Sequence, residues 1–371
     1  MKIAFVYDRI NKLGGAERVL IALHEIWPKA PLFTAVYNPK KAAWANIFSI
    51  RPSFLRFLPF SSTFHEFFPL ATPLAFENFN FDDFDVVLSI TSADAKGILT
   101  KTNNLNICYC LTPTRYLWSG YHDYLNEPGI GLLNPLARFF IRFFATSLRN
   151  WDYVAAQRPD KFIAISQTVK KRIKTYYKRD AKIIYPPVDT EKFKPAKFPL
   201  DLNYFLIVSR LVPYKKIDYV IKVFNHEGWK LKIIGTGLDE NRLKNMSKRN
   251  IEFLGGDLTD EKLSWYYQNC TAFIFPGEED FGIAAVEAQA CGKPVIGFKN
   301  GGAGEIVIPG ETGELYEQAE ESSLTLALKD AVRKKYSSAL CRKNALKFSK
   351  INFQKQIKNF VDNEWSQWQI K

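Results

Sequence analysis

Apolar and polar positions alternate along the chain in one repeating texture: a short unbroken apolar run, a polar or glycine-bearing turn, then apolar residues at helical spacing. In the first half, Lys2 to Tyr7, Asp85 to Ile90, Asn106 to Leu111, Lys161 to Ile165 and Lys182 to Tyr185 read as strands. Unbroken apolar runs bounded by turns are the mark of strands buried on both faces of a parallel sheet. Ala16 to Ile26 reads as the helix after the first strand, and Ser166 is placed to cap another over Gln167 to Tyr177. A second series starts at Tyr204, passes through Ser209 to Lys216 into a helix from Asp218 to Asn225, and continues with Lys230 to Ile234, Ile251 to Gly256, Thr271 to Phe275 and Val295 to Phe298. The last residues read as three helices, Ser323 to Tyr336, Ser338 to Lys350 and Phe353 to Trp368. Between the two series, Pro186-Pro187-Val188-Asp189 and the polar Thr190 to Lys197 mark a boundary. The pattern predicts an α/β protein of two Rossmann-like domains facing across a cleft, 1–188 and 189–352.

Composition narrows the partners. At 371 residues the chain is long enough for two domains with separate cores. A formal charge of +13 and a pI near 9.3 point to an anionic partner: nucleic acid, a phosphorylated small molecule or an acidic membrane face. No apolar run approaches the length of a membrane span, and Met1 to Tyr7 is too short for the apolar region of a signal peptide, so a cytoplasmic location is expected. The cysteines at 108, 110, 270, 291 and 341 are odd in number and scattered, which fits core packing rather than disulfides or a metal site.

Several stretches carry chemistry. Thr271 to Phe298 is a strand, an acidic loop turning at Gly282, a helix ended by Gly292, and a second strand opened after Pro294. Loop and helix N-terminus then stand at the carboxyl edge of a sheet, where open α/β folds bind ligands. Glu279 and Glu287 could each accept from a pair of sugar hydroxyls; they also fit a loop acid and a solvated helix face. Arg210 and Lys215 bracket the turn after the strand from Tyr204, an arrangement suited to a diphosphate or to a solvated basic turn. Gly14-Gly15 and Gly235-Thr236-Gly237 lie at strand ends, but neither forms the full dinucleotide fingerprint. Arg115-Tyr116-Leu117-Trp118, with His122 and Asp123, combines aromatic faces with polar ends as a sugar-binding loop does. Leu136, Phe139, Phe140, Phe143, Phe144 and Leu148 form an apolar stripe beside Arg138, Arg142 and Arg149. That stripe fits a core helix with snorkelling arginines, the reading preferred here, or a helix lying on an anionic membrane. The phenylalanine- and proline-rich Ser53 to Phe81 fits a packed insertion or an exposed apolar surface.

Glu279-x-Phe281-Gly282-Ile283-x-x-x-Glu287-Ala288, followed by Gly292-x-Pro294-Val295, resembles the donor-site signature of family 4 retaining glycosyltransferases, which have the GT-B fold. The string Glu278-Glu-Asp-Phe-Gly-Ile283 resembles bacterial mannosyltransferases that build O-antigen and other surface polysaccharides. The resemblance extends to Gly14-Gly15 as a phosphate-facing loop, the Thr112-Pro-Thr-Arg-Tyr-Leu-Trp118 segment, the Pro186-x-Val188-Asp189-x-x-x-Phe193 linker, Arg210 and Lys215 as diphosphate ligands, and Gly301 to Glu305 as a second sugar-site loop. It implies that Arg210, Lys215 and Glu279 are catalytic. Gly14, Gly15, Gly235, Phe281, Gly282, Ile283, Glu287 and Glu305 would bind the donor, and Arg115, Tyr116, Trp118, His122 and Asp123 the acceptor. It also implies a final helix, about 353–371, returning to the first domain. Leu111 departs from the pattern, since relatives often carry histidine there, and His122 is the nearest imidazole that could stand in for it.

The expectation is transfer of a hexose, mannose from GDP-mannose by first choice, to a hydroxyl of a glycan or polyprenyl-linked glycan, with retention and without a metal or other cofactor. Peripheral contact with the inner membrane is a further expectation, and nucleic acid is not expected as a partner. The rivals are a nucleotide-sugar epimerase or isomerase on the same fold, and a non-enzymatic protein binding anionic surfaces.

Overall fold

The computed structural model describes residues 1–57, 71–126, 134–200 and 202–370. Two units emerge: Met1–Tyr185 with Phe353–Lys371, and Pro186–Asn352.

The first unit is built on a parallel sheet of seven strands, β1 (Ile3–Ile10), β2 (Leu32–Tyr37), β3 (Ile50–Pro52), β4 (Val86–Thr91), β5 (Leu105–Cys110), β6 (Lys161–Ala164) and β7 (Lys182–Ile183). Their order is β3-β2-β1-β4-β5-β6-β7. Val86-Val-Leu-Ser-Ile-Thr91 and Leu105-Asn-Ile-Cys-Tyr-Cys110 are buried throughout, as strands covered on both faces must be. One core forms where Phe33, Phe76, Phe81, Val87 and Ile98 meet under the sheet. The helix Lys350–Trp368 joins this unit from Phe353 on, with Phe353, Ile357 and Val361 buried and the Phe353 ring edge-on to Tyr109 at 5.9 Å. All five cysteines are buried free thiols.

The second unit repeats the plan with β8 (Phe205–Val208), β9 (Leu231–Ile234), β10 (Ile251–Phe253), β11 (Ala272–Phe275), β12 (Val295–Phe298) and β13 (Gly313–Tyr316). These strands are also all parallel, in the order β10-β9-β8-β11-β12-β13. The order is that of a doubly wound Rossmann sheet, so the chain has the fold class expected: two Rossmann-like α/β units. Phe205, Ile207, Ile221, Phe224, Ile233 and Leu328 are part of its core.

Three expectations need correction. The apolar stripe of helix Asn134–Ala155 predicts burial, but Leu136, Phe139 and Phe143 are 51%, 61% and 68% exposed, and it is the later turns that bury Ala145, Leu148 and Ala155. The helix read over Ser338 to Lys350 is an α-helix, Ser338–Ala345, tightened into a 3-10 turn at Leu346–Phe348. Strands β2, β3 and β13 have no counterpart in the apolar pattern: β2 follows a proline-broken segment, β3 carries an arginine and a proline, and β13 opens on a glycine and a glutamate. Of the stretch from Ser53 to Phe81, residues 58–70 lie outside the described residues, while Phe54 and Phe57 are exposed.

Candidate functional site

In a sheet of this order the chain leaves neighbouring strands β8 and β11 toward opposite flanks, so their carboxyl ends open a crevice. Two loops meet there. One, Ser209 to Lys216, follows β8 and ends in the 3-10 turn Pro213–Lys215, with Lys216 at φ 56° as it enters the helix Ile217–Glu227. The other, Pro276 to Gly282, follows β11 and enters the helix Ile283–Ala290.

The loops are joined by an ion pair. Lys215 Nζ lies 2.5 Å from Glu279 Oε1, with the side chains 11% and 22% exposed. Arg210 is exposed and donates from Nη2 to the Tyr214 hydroxyl at 2.6 Å. Both cations predicted to meet a diphosphate thus lie on one turn, and one of the two predicted sugar-holding acids is already in contact with it.

Surrounding contacts fix the acidic loop. Tyr219 on helix Ile217–Glu227 donates its phenol proton to the Pro276 carbonyl at 3.0 Å, and its oxygen is hydrogen bonded to the Tyr316 hydroxyl. Burial raises the pKa of both phenols, so both remain neutral. From the other side, the Gly302 N–H donates to the Glu279 carbonyl at 2.8 Å. Gly282 has φ 112°, and a Cβ there would lie 2.4 Å from the Phe275 ring, so only glycine fits this turn. The first amides of the following helix therefore stand at the sheet edge with no side-chain cap.

The remaining predicted donor residues are more dispersed. Glu287 lies inside helix Ile283–Ala290, 3% exposed, and its Oε2 accepts from the Tyr267 hydroxyl at 3.0 Å. It is not a solvated helix face. Phe281 is buried against Phe348, ring centroids 5.4 Å apart, and Ile283 is half-buried. Gly235 has φ 140°, and a Cβ there would meet the Ser209 carbonyl oxygen at 1.8 Å, so this glycine serves the close packing of the turns after β8 and β9. Glu305 is half-buried on the short helix Ala303–Ile306.

The acceptor residues and the Gly14-Gly15 loop belong to the first unit. Gly14 precedes the helix Gly15–Ile26, whose first turn turns Glu17 inward: its Oε1 accepts from Tyr7 at 2.6 Å. The predicted phosphate-facing amides therefore already have an acid nearby. Arg115 and Tyr116 are half-buried in the turns before helix Tyr121–Asn126, while His122 and Asp123 are exposed on that helix. Trp118 stacks on Tyr176 at 5.1 Å and donates from Nε1 to Asp152 Oδ2 at 2.7 Å.

That last bond leads to a network which the sequence reading missed. Buried Lys96 contacts Asp152 Oδ1 at 2.6 Å and Thr114 Oγ1 at 3.1 Å, and Tyr177 donates to Asp152 Oδ2 at 2.8 Å. Burial alone would lower the Lys96 pKa, but the Asp152 and Asp94 carboxylates together outweigh it and hold the amine above its ordinary value. Nearby, Asp8 accepts from Thr91 Oγ1, Ser92 N and Ala95 N at 2.8, 2.8 and 2.9 Å, bracing the turn after β4. Asp94 on this turn accepts from Thr72 at 2.6 Å, and burial raises its pKa to about 6. The signal was available in Ser92-Ala-Asp-Ala-Lys96, where an acid and a base are set among small residues at a strand's carboxyl end. Nothing in the pattern of residues 260–269 marked Tyr267.

Residues 188–348, within the second unit, match the model of the family Glycosyl transferases group 1. An uncharacterized glycosyltransferase of Methanocaldococcus jannaschii is 32% identical over 201 residues, 53% of this chain and 56% of that protein. A GDP-mannose-dependent alpha-(1-6)-phosphatidylinositol monomannoside mannosyltransferase of Mycolicibacterium smegmatis is 29% identical over 173 residues, covering 39% of this chain and 45% of the relative. The chain spans about half the length of the curated relatives it matches. Among solved structures, Anabaena HepE in complex with UDP superposes with a TM-score of 0.71 at 18% identity, covering 98% of this chain and 100% of that one. HepE shares the fold over almost the whole chain. The Lys215–Glu279 pair thus lies inside the segment 188–348 that is similar to the glycosyl transferases group 1.

Proposed function

We propose that the protein is a retaining glycosyltransferase that moves a hexose from a nucleotide-diphosphate sugar to a hydroxyl of a glycan or lipid-linked glycan in surface polysaccharide biosynthesis. The observation that carries this reading is the Lys215–Glu279 pair beside Arg210 at the β8/β11 edge. A diphosphate needs cations there, and a sugar needs an acceptor of hydroxyl hydrogen bonds next to them.

Arg210 and Lys215 neutralise the charge that builds on the departing diphosphate, the electrostatic contribution that usually dominates such catalysis. Amides at the start of helix Ile283–Ala290 and those of the Gly14-Gly15 loop add backbone donors to it. Glu287 holds the ribose hydroxyls and Glu279 the hexose. Cations and helix amides supply the neutralisation that a metal would otherwise give, so the reading is metal-independent. In the resembling family the leaving phosphate takes the acceptor's proton on the face where the new bond forms, which accounts for retention without a carboxylate nucleophile. Arg115, Tyr116, Trp118, His122 and Asp123 are the acceptor residues in this scheme.

Mannose from GDP-mannose is the first choice of donor, supported by Glu278-Glu-Asp-Phe-Gly-Ile283 and by the GDP-mannose-dependent relative. Exposed Leu136, Phe139 and Phe143 beside exposed Arg142 support peripheral contact with an anionic membrane. Among the described residues no helix is long and apolar enough to cross one.

Thermal-shift measurements against GDP, UDP, ADP and their sugars test the reading. A ligand at about 100 times its dissociation constant stabilises its protein by about 2.7 kcal/mol, which is readily seen. Stabilisation by none of them would remove the donor site.

A further inference from the structure

Lys215 and Glu279 are each other's charge partners in a half-buried setting. On the reading of this place as a donor site, we infer that Glu279 also discriminates between ligands, retaining a nucleotide diphosphate that bears a sugar and rejecting the bare diphosphate left after transfer.

A diphosphate reaching Lys215 meets a carboxylate already there. Either the carboxylate moves off and loses its cation, or two anions share one ammonium group. Both are unfavourable where water is partly excluded. The loop backbone does not give way easily, because the Pro276 carbonyl is held by Tyr219 and the Glu279 carbonyl by the Gly302 amide. Accommodation therefore falls to the Glu279 side chain. A hexose on the second phosphate offers hydroxyl protons to the displaced carboxylate and offsets the lost ion pair. A free terminal phosphate offers only more negative charge. After transfer, the ion pair re-forms as the diphosphate departs, so the contact that admits the donor also favours release of the product.

Isothermal titration of the full chain with GDP, GDP-mannose, UDP and UDP-glucose tests this, with the wild type set against Glu279→Gln. The wild type should bind a sugar nucleotide about tenfold or more tightly than the matching diphosphate. In Glu279→Gln the diphosphate should bind about fivefold more tightly than in the wild type, the scale of one partly exposed ion pair. The sugar nucleotide should bind more weakly, bringing the ratio close to one. Unchanged or weaker diphosphate binding with the sugar preference intact would overturn the inference and leave the donor site standing. Binding of none of the four ligands by the wild type would overturn both. Melting curves check that the variant folds, and Glu279→Ala, expected to lose the same preference, serves if it does not.

Discussion

The Tyr267 hydroxyl donates to Glu287 Oε2 at 3.0 Å inside the second unit, and the carboxylate is almost wholly enclosed. Glu287 therefore has two separable roles, as Tyr267's partner and, on the proposed reading, as the ribose acceptor. Glu287→Ala removes this buried hydrogen bond, which costs about 1–3 kcal/mol of stability. Glu287→Gln keeps an acceptor for Tyr267 and should recover most of that. Both should weaken nucleoside diphosphate binding, Ala more than Gln. Unchanged binding in the Ala variant, followed by titration calorimetry, would retire the ribose role.

Arg210 reaches solvent from the turn that also carries Lys215, and it donates to the Tyr214 hydroxyl. Its replacement by Ala should lower turnover on the order of a hundredfold or more, as removal of one charge-stabilising donor does, with little change in melting temperature. Steady-state kinetics with the donor found by thermal shift reads this out, and near-normal turnover would exclude Arg210 from the diphosphate site.

Asp152 accepts from Thr114, Trp118 and Tyr177 as well as from Lys96. Truncating one member of a buried pair strands the other charge, at a cost of about 3–5 kcal/mol. Asp152→Ala should accordingly lower the first denaturation midpoint steeply. It should also free Trp118, visible as a change in tryptophan fluorescence under native conditions.

Asp94 predicts a pH dependence. Burial, opposed by the Lys96 ammonium and the Thr72 hydroxyl and reinforced by Asp8 and Asp152, raises its pKa to about 6 in the folded protein. The unfolded chain gives up this proton near an ordinary aspartate value of about 3.9. Between those values the native state binds more protons, so Asp94 makes stability fall as pH rises through that window. Asp94→Asn removes the effect. The variant should exceed the wild type in stability at pH 8 by on the order of 1 kcal/mol or more, and the gap should close by about pH 4. Chemical denaturation at the two pH values measures it; a gap that does not vary with pH would contradict the assignment.

The sheets were legible because a doubly covered strand writes itself as an unbroken apolar run, as in Val86 to Thr91 and Ala272 to Phe275. Lys215 and Glu279 were legible only as members of separate turns. Their pairing depends on β8 and β11 lying side by side, which no local spacing encodes. Tyr219 and Tyr267 read as ordinary helix residues, because their hydroxyls act on partners 57 and 20 residues away. The stripe on helix Asn134–Ala155 misled for a related reason. Helical period shows that one face is apolar, but not whether the fold supplies anything to cover it.

The helix Lys350–Trp368 starts in the second unit and, from Phe353 on, belongs to the first. There Gln354 donates to the Ala22 carbonyl at 3.1 Å, and Glu364 pairs with Lys161 at 2.8 Å. The first unit is thus discontinuous in sequence, and no single cut isolates it. A fragment ending at Tyr185 would expose the surface that Phe353, Ile357 and Val361 cover. Expressing that half alone calls for grafting the last helix behind Tyr185 or permuting it to the front, whereas Pro186–Asn352 can be excised as one continuous piece.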